Sequence, residues 1–171
     1  MVGQITVITD TSVLINFLVI DKVDMLVSLP NRHFVITDHV KSEVTAHYSD
    51  QLQRLELSLS NQQITEISIV DPVEVGVFAT LTQTGLGIGE CSAIAVAQNR
   101  GHALAIDDKT ARKRVAARYP AIPILTTESL VVELIKANLL TIFDADAIKA
   151  EWEQKHRFRL PFASFADRIT S

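Results

Sequence analysis

Three aspartates in this sequence stand where strands would end. Asp10 follows the β-rich run of residues 5–9, and Asp107 and Asp108 follow the short apolar run of residues 103–106. In open parallel α/β sheets, functional sites form outside the carboxyl ends of the strands. The three carboxylates are therefore expected along one edge of a sheet, where they could act together.

Two glutamates are expected beside these aspartates. Glu90 comes directly after a glycine-spaced turn at residues 85–89 and starts a helix that is apolar on nearly every face. Glu43 lies in the second turn of another predicted helix, three residues after Val40 and four before His47, and Val44 lies four residues after Val40. Glu43 therefore borders a face that looks inward.

Carboxylates that converge repel one another, and some of their pKa values rise unless a cation neutralises them. Oxygen ligands of this kind select Mg²⁺ or Mn²⁺. Such ions bind phosphodiester oxygens, generate a hydroxide nucleophile and stabilise the leaving oxygen, so the pattern favours metal-dependent phosphodiester hydrolysis. Singly, each acid could instead cap a helix, complement a helix dipole or face solvent. One cap needs only one aspartate, however, and two stand together at Asp107 and Asp108.

A basic cluster follows the aspartate pair directly, and a phosphate backbone could lie across it. Charged faces of surface helices are usually only solvated, so substrate contact is expected first for the two members Lys109 and Arg112, which are nearest the acids. The five histidines show no metal-ligand spacing. The cluster consists of Lys109, Arg112, Lys113, Arg114 and Arg118.

Composition narrows the class of protein. The 171 residues are 47% hydrophobic, which predicts one domain over residues 1–171 with a single good core. The net charge of -4 argues against a protein that coats nucleic acid through bulk positive potential. Cys91 is the only cysteine and excludes disulfide frameworks within the chain. Without a signal-peptide pattern at residues 1–10 or an apolar run that could span a bilayer, a cytoplasmic protein with no membrane partner is expected.

Strand and helix patterns alternate along the chain, which predicts a three-layer α/β/α domain with a mostly parallel central sheet. Residues 144–171 form a last helix plus a tail, and the aromatic and basic stretch 152–165 is expected to pack on the domain rather than to form a partner or substrate surface. Strands are predicted at 5–9, 33–36, 64–70, 103–106 and 123–125, and helices at 13–20, 23–29, 38–48, 51–62, 72–83, 90–98, 109–118, 129–138 and 144–155.

The motifs Thr9-Asp10-Thr11-Ser12, mid-chain Glu43, Gly89-Glu90 and Asp107-Asp108, taken in this order, resemble the PIN-domain family over nearly the whole chain. The resemblance implies a metal-dependent ribonuclease with an α/β/α fold. Because single-domain prokaryotic members are commonly VapC-like toxins of type II toxin-antitoxin pairs, it also implies an RNA substrate, a cognate antitoxin and a homodimer. The antitoxin would cover the acidic pocket, with a basic side chain competing for the carboxylates.

Carried over by position, the resemblance implies that Asp10, Glu43, Glu90 and Asp108 form the catalytic, metal-binding quartet, with Asp107 as a fifth candidate ligand. Ser12 would orient Asp10 or a metal-bound water, and the plainer alternative is a helix cap. The chain has Glu90 where many VapC proteins have aspartate, and an aspartate pair where many have an amide before the last acid. The longer arm of Glu90 bears on metal geometry and leaves open whether one or two ions bind.

Other classes of function fit the sequence less well. A catalytically weak PIN-like module that binds RNA or a protein partner is the main alternative, and the complete set of acids argues against it. A phosphoryl-transfer enzyme with Asp10 as nucleophile would need a second aspartate two residues on, where Ser12 stands. A receiver-like domain would carry its acid pair at the first strand rather than at a late one.

Overall fold

The computed structural model describes residues 3–169, which fold around one five-stranded sheet with the strand order β3-β2-β1-β4-β5. Every neighbouring pair of strands is parallel, so the helices must cross over the faces of the sheet. This confirms the predicted three-layer α/β/α architecture. The strands are β1 (Ile5–Thr9), β2 (Arg32–Thr37), β3 (Ile64–Ile67), β4 (Ala103–Ala105) and β5 (Ile124–Leu125).

Helices connect the strands and continue beyond the last one. A short 3₁₀ turn at Ser49–Gln51 separates the third helix from the fourth. The helices are α1 (Thr11–Leu18), α2 (Val23–Val27), α3 (Asp38–His47), α4 (Leu52–Ser60), α5 (Pro72–Thr82), α6 (Ile88–Arg100), α7 (Lys109–Arg118), α8 (Thr127–Lys136), α9 (Ile142–Lys155) and α10 (Ala166–Ile169).

Successive strand residues point to opposite faces of the sheet and fill two separate apolar cores. Val7 belongs to the core formed with α1, α2, α8 and α9, while its neighbour Ile8 belongs to the core formed with α6 and α7. Leu104 joins Ile8, and its neighbours Ala103 and Ala105 join Val7. The helices that follow β1 and β4 therefore lie on opposite faces of the sheet.

Side-chain caps fix the starts of several helices. Asp10 accepts from Val13 N at the start of α1, and Asp108 accepts from Ala111 N at the start of α7. These bonds satisfy backbone N–H groups that have no partner within the helix. Two of the acidic candidates are thus helix caps whatever else they do, as the plainer interpretation of the sequence holds.

Some boundaries differ from those predicted. Helix α6 begins at Ile88 rather than at Glu90, because Gly87 already has the extended backbone of an N-cap, and Glu90 lies in the first turn. Strand β3 ends at Ile67 rather than Val70, beyond which no register with β2 continues. Helix α10 was not expected. A capping Thr141 starts α9 at Ile142, two residues before the predicted start.

The C-terminal segment packs on the domain, as predicted. Trp152 is fully buried and donates from Nε1 to the carbonyl of Asn16 in α1 at 2.7 Å. Phe165 is also fully buried, and Phe158 packs against Trp152 edge to face. Residues 1–2 and the last two residues of the predicted 144–171 segment lie outside the described residues. Within residues 3–169, none of the helices combines the length and the apolar character needed to cross a membrane.

Candidate active site

The acidic residues lie at the point where the strand order changes direction. The central strands β1 and β4 are neighbours, and the helices that follow them lie on opposite faces of the sheet, which opens a crevice at their carboxyl ends. Asp10 directly follows β1, and its N–H donates to the carbonyl of Ala105 in β4 at 3.0 Å. Asp107 lies two residues beyond Ala105, so both acids border the same crevice.

Asp10 is almost fully buried, with 1% of its surface exposed. One carboxylate oxygen accepts from Val13 N at 2.9 Å, and the other accepts from the Ser12 hydroxyl at 2.8 Å. Burial, the largest cause, and the negative charges of Asp107 and Glu90 together raise the pKa of Asp10 to about 7, although the two hydrogen bonds lower it. The hydrogen bond from Ser12 to Asp10 is the contact that Ser12 would need in order to orient this carboxylate.

Glu43 is held by the start of α6. The N–H of Gly89 donates to Oε1 at 2.7 Å, and the Thr11 hydroxyl donates to Oε2. A Cβ atom on Gly89 would lie 2.6 Å from Glu43 Oε2 and 2.9 Å from Thr11 Oγ1. The glycine is therefore required by the close approach of this carboxylate.

Glu90 faces other acids across the crevice. Partial burial is the main cause that raises the pKa of Glu90, followed by the charges of Asp108 and Glu43, while Arg114 lowers it. Arg114 is held in place because it donates to the carbonyl of Thr84. Glu90 therefore shares the electrostatic environment of the crevice, with one cation in its vicinity.

Asp107 accepts hydrogen bonds from two residues that were not predicted from the sequence to belong to the site. Thr127 donates to its two oxygens, from the backbone N at 2.8 Å and from Oγ1 at 2.6 Å. Asn16 Nδ2 donates to Oδ2 at 3.1 Å and also to Thr127 Oγ1 at 3.0 Å. The one signal in the sequence was Asn16 itself, an amide within the apolar stretch of the first helix.

Asp108 caps α7, with its Oδ1 2.7 Å from Ala111 N.

The charges of neighbouring acids raise the pKa values of Asp10 and Glu90, but the carboxylates do not form a preassembled metal site. Within residues 3–169, no group of three or more Asp, Glu, His or Cys side chains is placed to hold a metal ion. The oxygens of Glu43 and Asp107 are engaged in the hydrogen bonds described above. The chemistry of the edge nevertheless suits a hard divalent cation, because it offers several carboxylates, and the buried one, Asp10, has no paired cation among the residues that the structure describes.

Two cavities flank the acidic edge. One of about 280 Å³ is lined by Asp10, Thr11, Ser12, Glu43, His47, Tyr48, Gly87 and Glu90. The other, of about 260 Å³, is lined by Asp107, Arg112, Thr126, Glu128, Phe158, Arg159, Leu160 and Pro161. Of the two basic residues expected to contact substrate, Arg112 borders the second cavity and Lys109 is exposed at the start of α7.

Comparison with known proteins agrees with this architecture. The model of family DUF3368, described as a PIN domain, matches residues 6–166. No curated protein sequence matches the chain. The solved structure of VapBC2 from Rickettsia felis, bound to a DNA fragment from its promoter, contains a chain that is 14% identical with a TM-score of 0.50, covering 71% of this chain and 98% of that one.

A PilT N-terminus domain protein from Sulfolobus solfataricus P2 is 20% identical with a TM-score of 0.51, and the match covers 80% of this chain and 95% of that one. At these identities the two structures show the fold alone. The family match is broader evidence, because it spans residues 6–166 and includes every acidic candidate. The chain is therefore a member of the PIN-domain family.

Proposed function

We propose that this protein is a metal-dependent endoribonuclease that hydrolyses RNA phosphodiester bonds. The observation that carries the proposal is Asp10, a buried carboxylate at the strand switch point whose pKa is raised in part by Asp107 and Glu90 and with which no cation of residues 3–169 is paired. Membership of the PIN-domain family supports nuclease activity. A divalent cation would offset the cost of ionising Asp10 in this position.

Asp10, Glu90 and Asp108 would hold the ion, Mg²⁺ or Mn²⁺, with Glu43 and Asp107 completing the set directly or through water. Oε1 and Oε2 of Glu90 and Oδ2 of Asp108 accept no hydrogen bond from residues 3–169, which leaves them available as ligands. When bound, the ion would neutralise the acids, polarise the phosphodiester and assist attack by water.

The chain's own polar groups would position these acids. Ser12 and the first turn of α1 fix both oxygens of Asp10, and Gly89 N–H with Thr11 fixes Glu43. Asn16 and Thr127 fix Asp107 from two different helices. Residues that orient metal ligands in this way commonly change metal affinity or activity when they are replaced.

We further propose that the ribonuclease is the toxin of a type II toxin-antitoxin pair and works as a homodimer. The similarity to a chain of the VapBC2 complex supports the toxin role. An antitoxin would place a basic side chain against the acidic edge, where the uncompensated carboxylates would bind it. Co-expression with the product of an adjacent reading frame, followed by co-purification, tests the partner, and light scattering of the purified protein tests the dimer.

One observation favours the second candidate, a PIN-like module that binds RNA or protein with little turnover. No ready-made group of three metal-ligating side chains exists among residues 3–169. In such a module the carboxylates would serve as helix caps and as an acidic contact surface. This candidate predicts binding without metal-dependent cleavage.

The deciding experiment is cleavage of structured and single-stranded RNA by purified protein with Mg²⁺, Mn²⁺ or EDTA. The proposal predicts cleavage that requires metal and falls by roughly 100-fold or more in Asp10→Asn. Asp71→Asn is the matched control, because Asp71 also caps a helix by accepting from Val73 N at 2.8 Å, but it is exposed and outside the acidic crevice.

Asp71→Asn should cleave like the wild-type protein, which would assign the loss in Asp10→Asn to the crevice rather than to a lost cap. Equal cleavage by the wild type and Asp10→Asn would point to a contaminating nuclease. Absence of cleavage under all conditions, together with retained RNA binding, would move the assignment to the binding module.

A further inference from the structure

The C-terminal segment forms one wall of the second cavity, which Asp107 and Arg112 also line. Phe158, Arg159, Leu160 and Pro161 face Arg112 of α7 and the start of α8 across about 260 Å³. The wall is fixed, because Leu160 is buried and Phe158 packs on Trp152 with ring centroids 5.3 Å apart. Beyond it, Asp146 anchors the chain by accepting from Ser164 Oγ at 2.6 Å and from Phe165 N at 2.8 Å.

Two arginines and two acids line this cavity, and both acids have partners among residues 3–169, whereas both arginines have guanidinium nitrogens without one. Arg112 donates from Nε to the carbonyl of Asp107 at 3.2 Å, and its terminal nitrogens bond to nothing else within residues 3–169. Arg159 is exposed and makes neither a hydrogen bond nor an ion pair with any residue of that range. Both guanidinium groups therefore have donors to offer a ligand.

The acidic side chains of the same cavity are already engaged. Glu128 pairs with Arg168 at 3.0 Å, and both oxygens of Asp107 accept hydrogen bonds from Thr127. The polar groups of the cavity that remain free are thus guanidinium donors, and the ligand that they fit is an anion. Guanidinium groups match phosphate in geometry as well as in charge, because their planar forks donate two hydrogen bonds at once.

We propose that this cavity binds a backbone phosphate of the RNA strand next to the bond that is cleaved, with Arg112 and Arg159 as its ligands. The proposal rests on the proposed ribonuclease function and names where its substrate is held. A strand lying across the crevice would pass from the carboxylates, which repel phosphate, to these two cations. In a chain with net charge -4, such local compensation is what keeps a polyanion near an acidic site.

The test measures binding separately from cleavage. Fluorescence anisotropy of labelled single-stranded RNA oligonucleotides of two unrelated sequences is recorded against KCl concentration for the wild type, Arg112→Ala, Arg159→Ala and Arg159→Lys. Lys155→Ala is the control, because Lys155 is an exposed cation at the end of α9 that does not line the cavity. Thermal melting of each variant confirms that it is folded.

Each alanine variant should weaken binding about tenfold for both sequences. It should also reduce the slope of log Kd against log[KCl] by about 0.7, the value for one phosphate contact on a single strand. Arg159→Lys should keep most of the slope, and Lys155→Ala should match the wild type. In cleavage assays, KM should rise while kcat changes little, since the arginines contact a non-reacting phosphate.

Alanine variants that bind RNA with the wild-type Kd and salt slope would overturn the proposal and leave the cavity to another anion, such as an acidic protein segment. Loss of binding to only one of the two sequences would also overturn it, because phosphate contacts carry no sequence information. Failure of the proposed function looks different: the wild type would bind RNA and not cleave it, while the effect of the arginines on binding would persist.

Discussion

Two carboxylates in this molecule have almost no exposed surface, and yet their pKa values are shifted in opposite directions. Glu74 of α5 is fully buried, and Asp10 is 1% exposed. Arg100 of α6 donates to both oxygens of Glu74, from Nε at 2.7 Å and from a terminal nitrogen at 3.0 Å, and Asn99 adds a bond at 3.0 Å. These hydrogen bonds lower the pKa of Glu74, whereas burial raises the pKa of Asp10 to about 7.

The difference shows that burial alone does not identify a functional acid. Glu74 has a cation fixed on the neighbouring helix, so its charge is satisfied within the fold and it joins α5 to α6. Asp10 has hydrogen-bond donors but no paired cation in the described part of the chain, and the charges that shift its pKa are those of other acids. A buried carboxylate whose charge is left for an external cation indicates a site, while a paired one indicates architecture.

Replacing Arg100, the cation that pairs with Glu74, should have the largest effect on the free energy of unfolding. Arg100→Ala removes the partly exposed cation that covers Glu74 and is expected to lower the free energy of unfolding by about 2 to 3 kcal/mol, the value for hydrogen bonds to a charged group. Because pairing depresses the pKa of Glu74, the loss should be full well above pH 4.5, the ordinary pKa of glutamate, and should shrink as pH falls below it. Urea unfolding at pH 7 and pH 4 measures both values.

The double variant Glu74→Gln/Arg100→Ala is the control for the first prediction. It removes the unpaired charge together with its partner and should recover part of the lost stability. A loss below about 1 kcal/mol in Arg100→Ala would mean that the pair contributes no more than a surface ion pair.

Removing the acid from the crevice should change stability in the opposite direction. Without metal, Asp10→Asn should raise the free energy of unfolding at pH 8 by about 2 kcal/mol. An acid whose pKa is raised from 3.8 to about 7 binds more protons in the folded state, so wild-type stability falls as pH rises through that window. The gain in Asp10→Asn should therefore be smaller at pH 5 than at pH 8. A gain equal at both pH values would show that the ionisation of Asp10 is not its cause.

A third prediction concerns the glycine that lets Glu43 approach. Gly89→Ala should lower the free energy of unfolding by about 1 to 3 kcal/mol, because its Cβ has no room beside Glu43 and Thr11. Gly76→Ala in α5 is the matched control, since a Cβ there meets nothing within 4 Å. That variant should be more stable by about 0.5 to 1 kcal/mol. Equal effects of the two substitutions would contradict the close approach.

Adding the divalent cation itself should have the smallest effect on stability. Millimolar Mn²⁺ or Mg²⁺ at pH 8 should stabilise the wild type by about 1 kcal/mol, as for a ligand at several times its Kd. Asp10→Asn should lose this response and Glu74→Gln should keep it. Thermal melting with and without metal gives the comparison, and an undiminished response in Asp10→Asn would place the ion elsewhere.

Local patterns were enough to predict the elements and the edge on which the acids lie. Asp10 and the pair Asp107-Asp108 could be found because each follows a short apolar strand, and helix α7 was predicted at its observed bounds. The alternation of strands and helices predicted the parallel sheet. These features depend on neighbouring residues, which a single sequence displays directly.

Contacts between distant residues could not be predicted in this way. Asn16 binds Asp107 across 91 positions, and Glu74 meets Arg100 across 26 positions, so neither pairing leaves a local pattern. Glu74 resembles any acid in the first turn of a helix, and only the packing of α5 on α6 buries it. Gly89 was recognised as part of a turn, whereas its real constraint is the position of Glu43.

The hydrogen bonds around Asp107 bear on how the protein is made. A ribosome synthesises all five candidate acids before it reaches Thr127, which binds Asp107, and Trp152, which binds the carbonyl of Asn16. A nascent chain that stops short of α8 therefore carries the carboxylates without the groups that orient one of them. The proposed site is therefore fully ordered only after α8 and Trp152 have been synthesised.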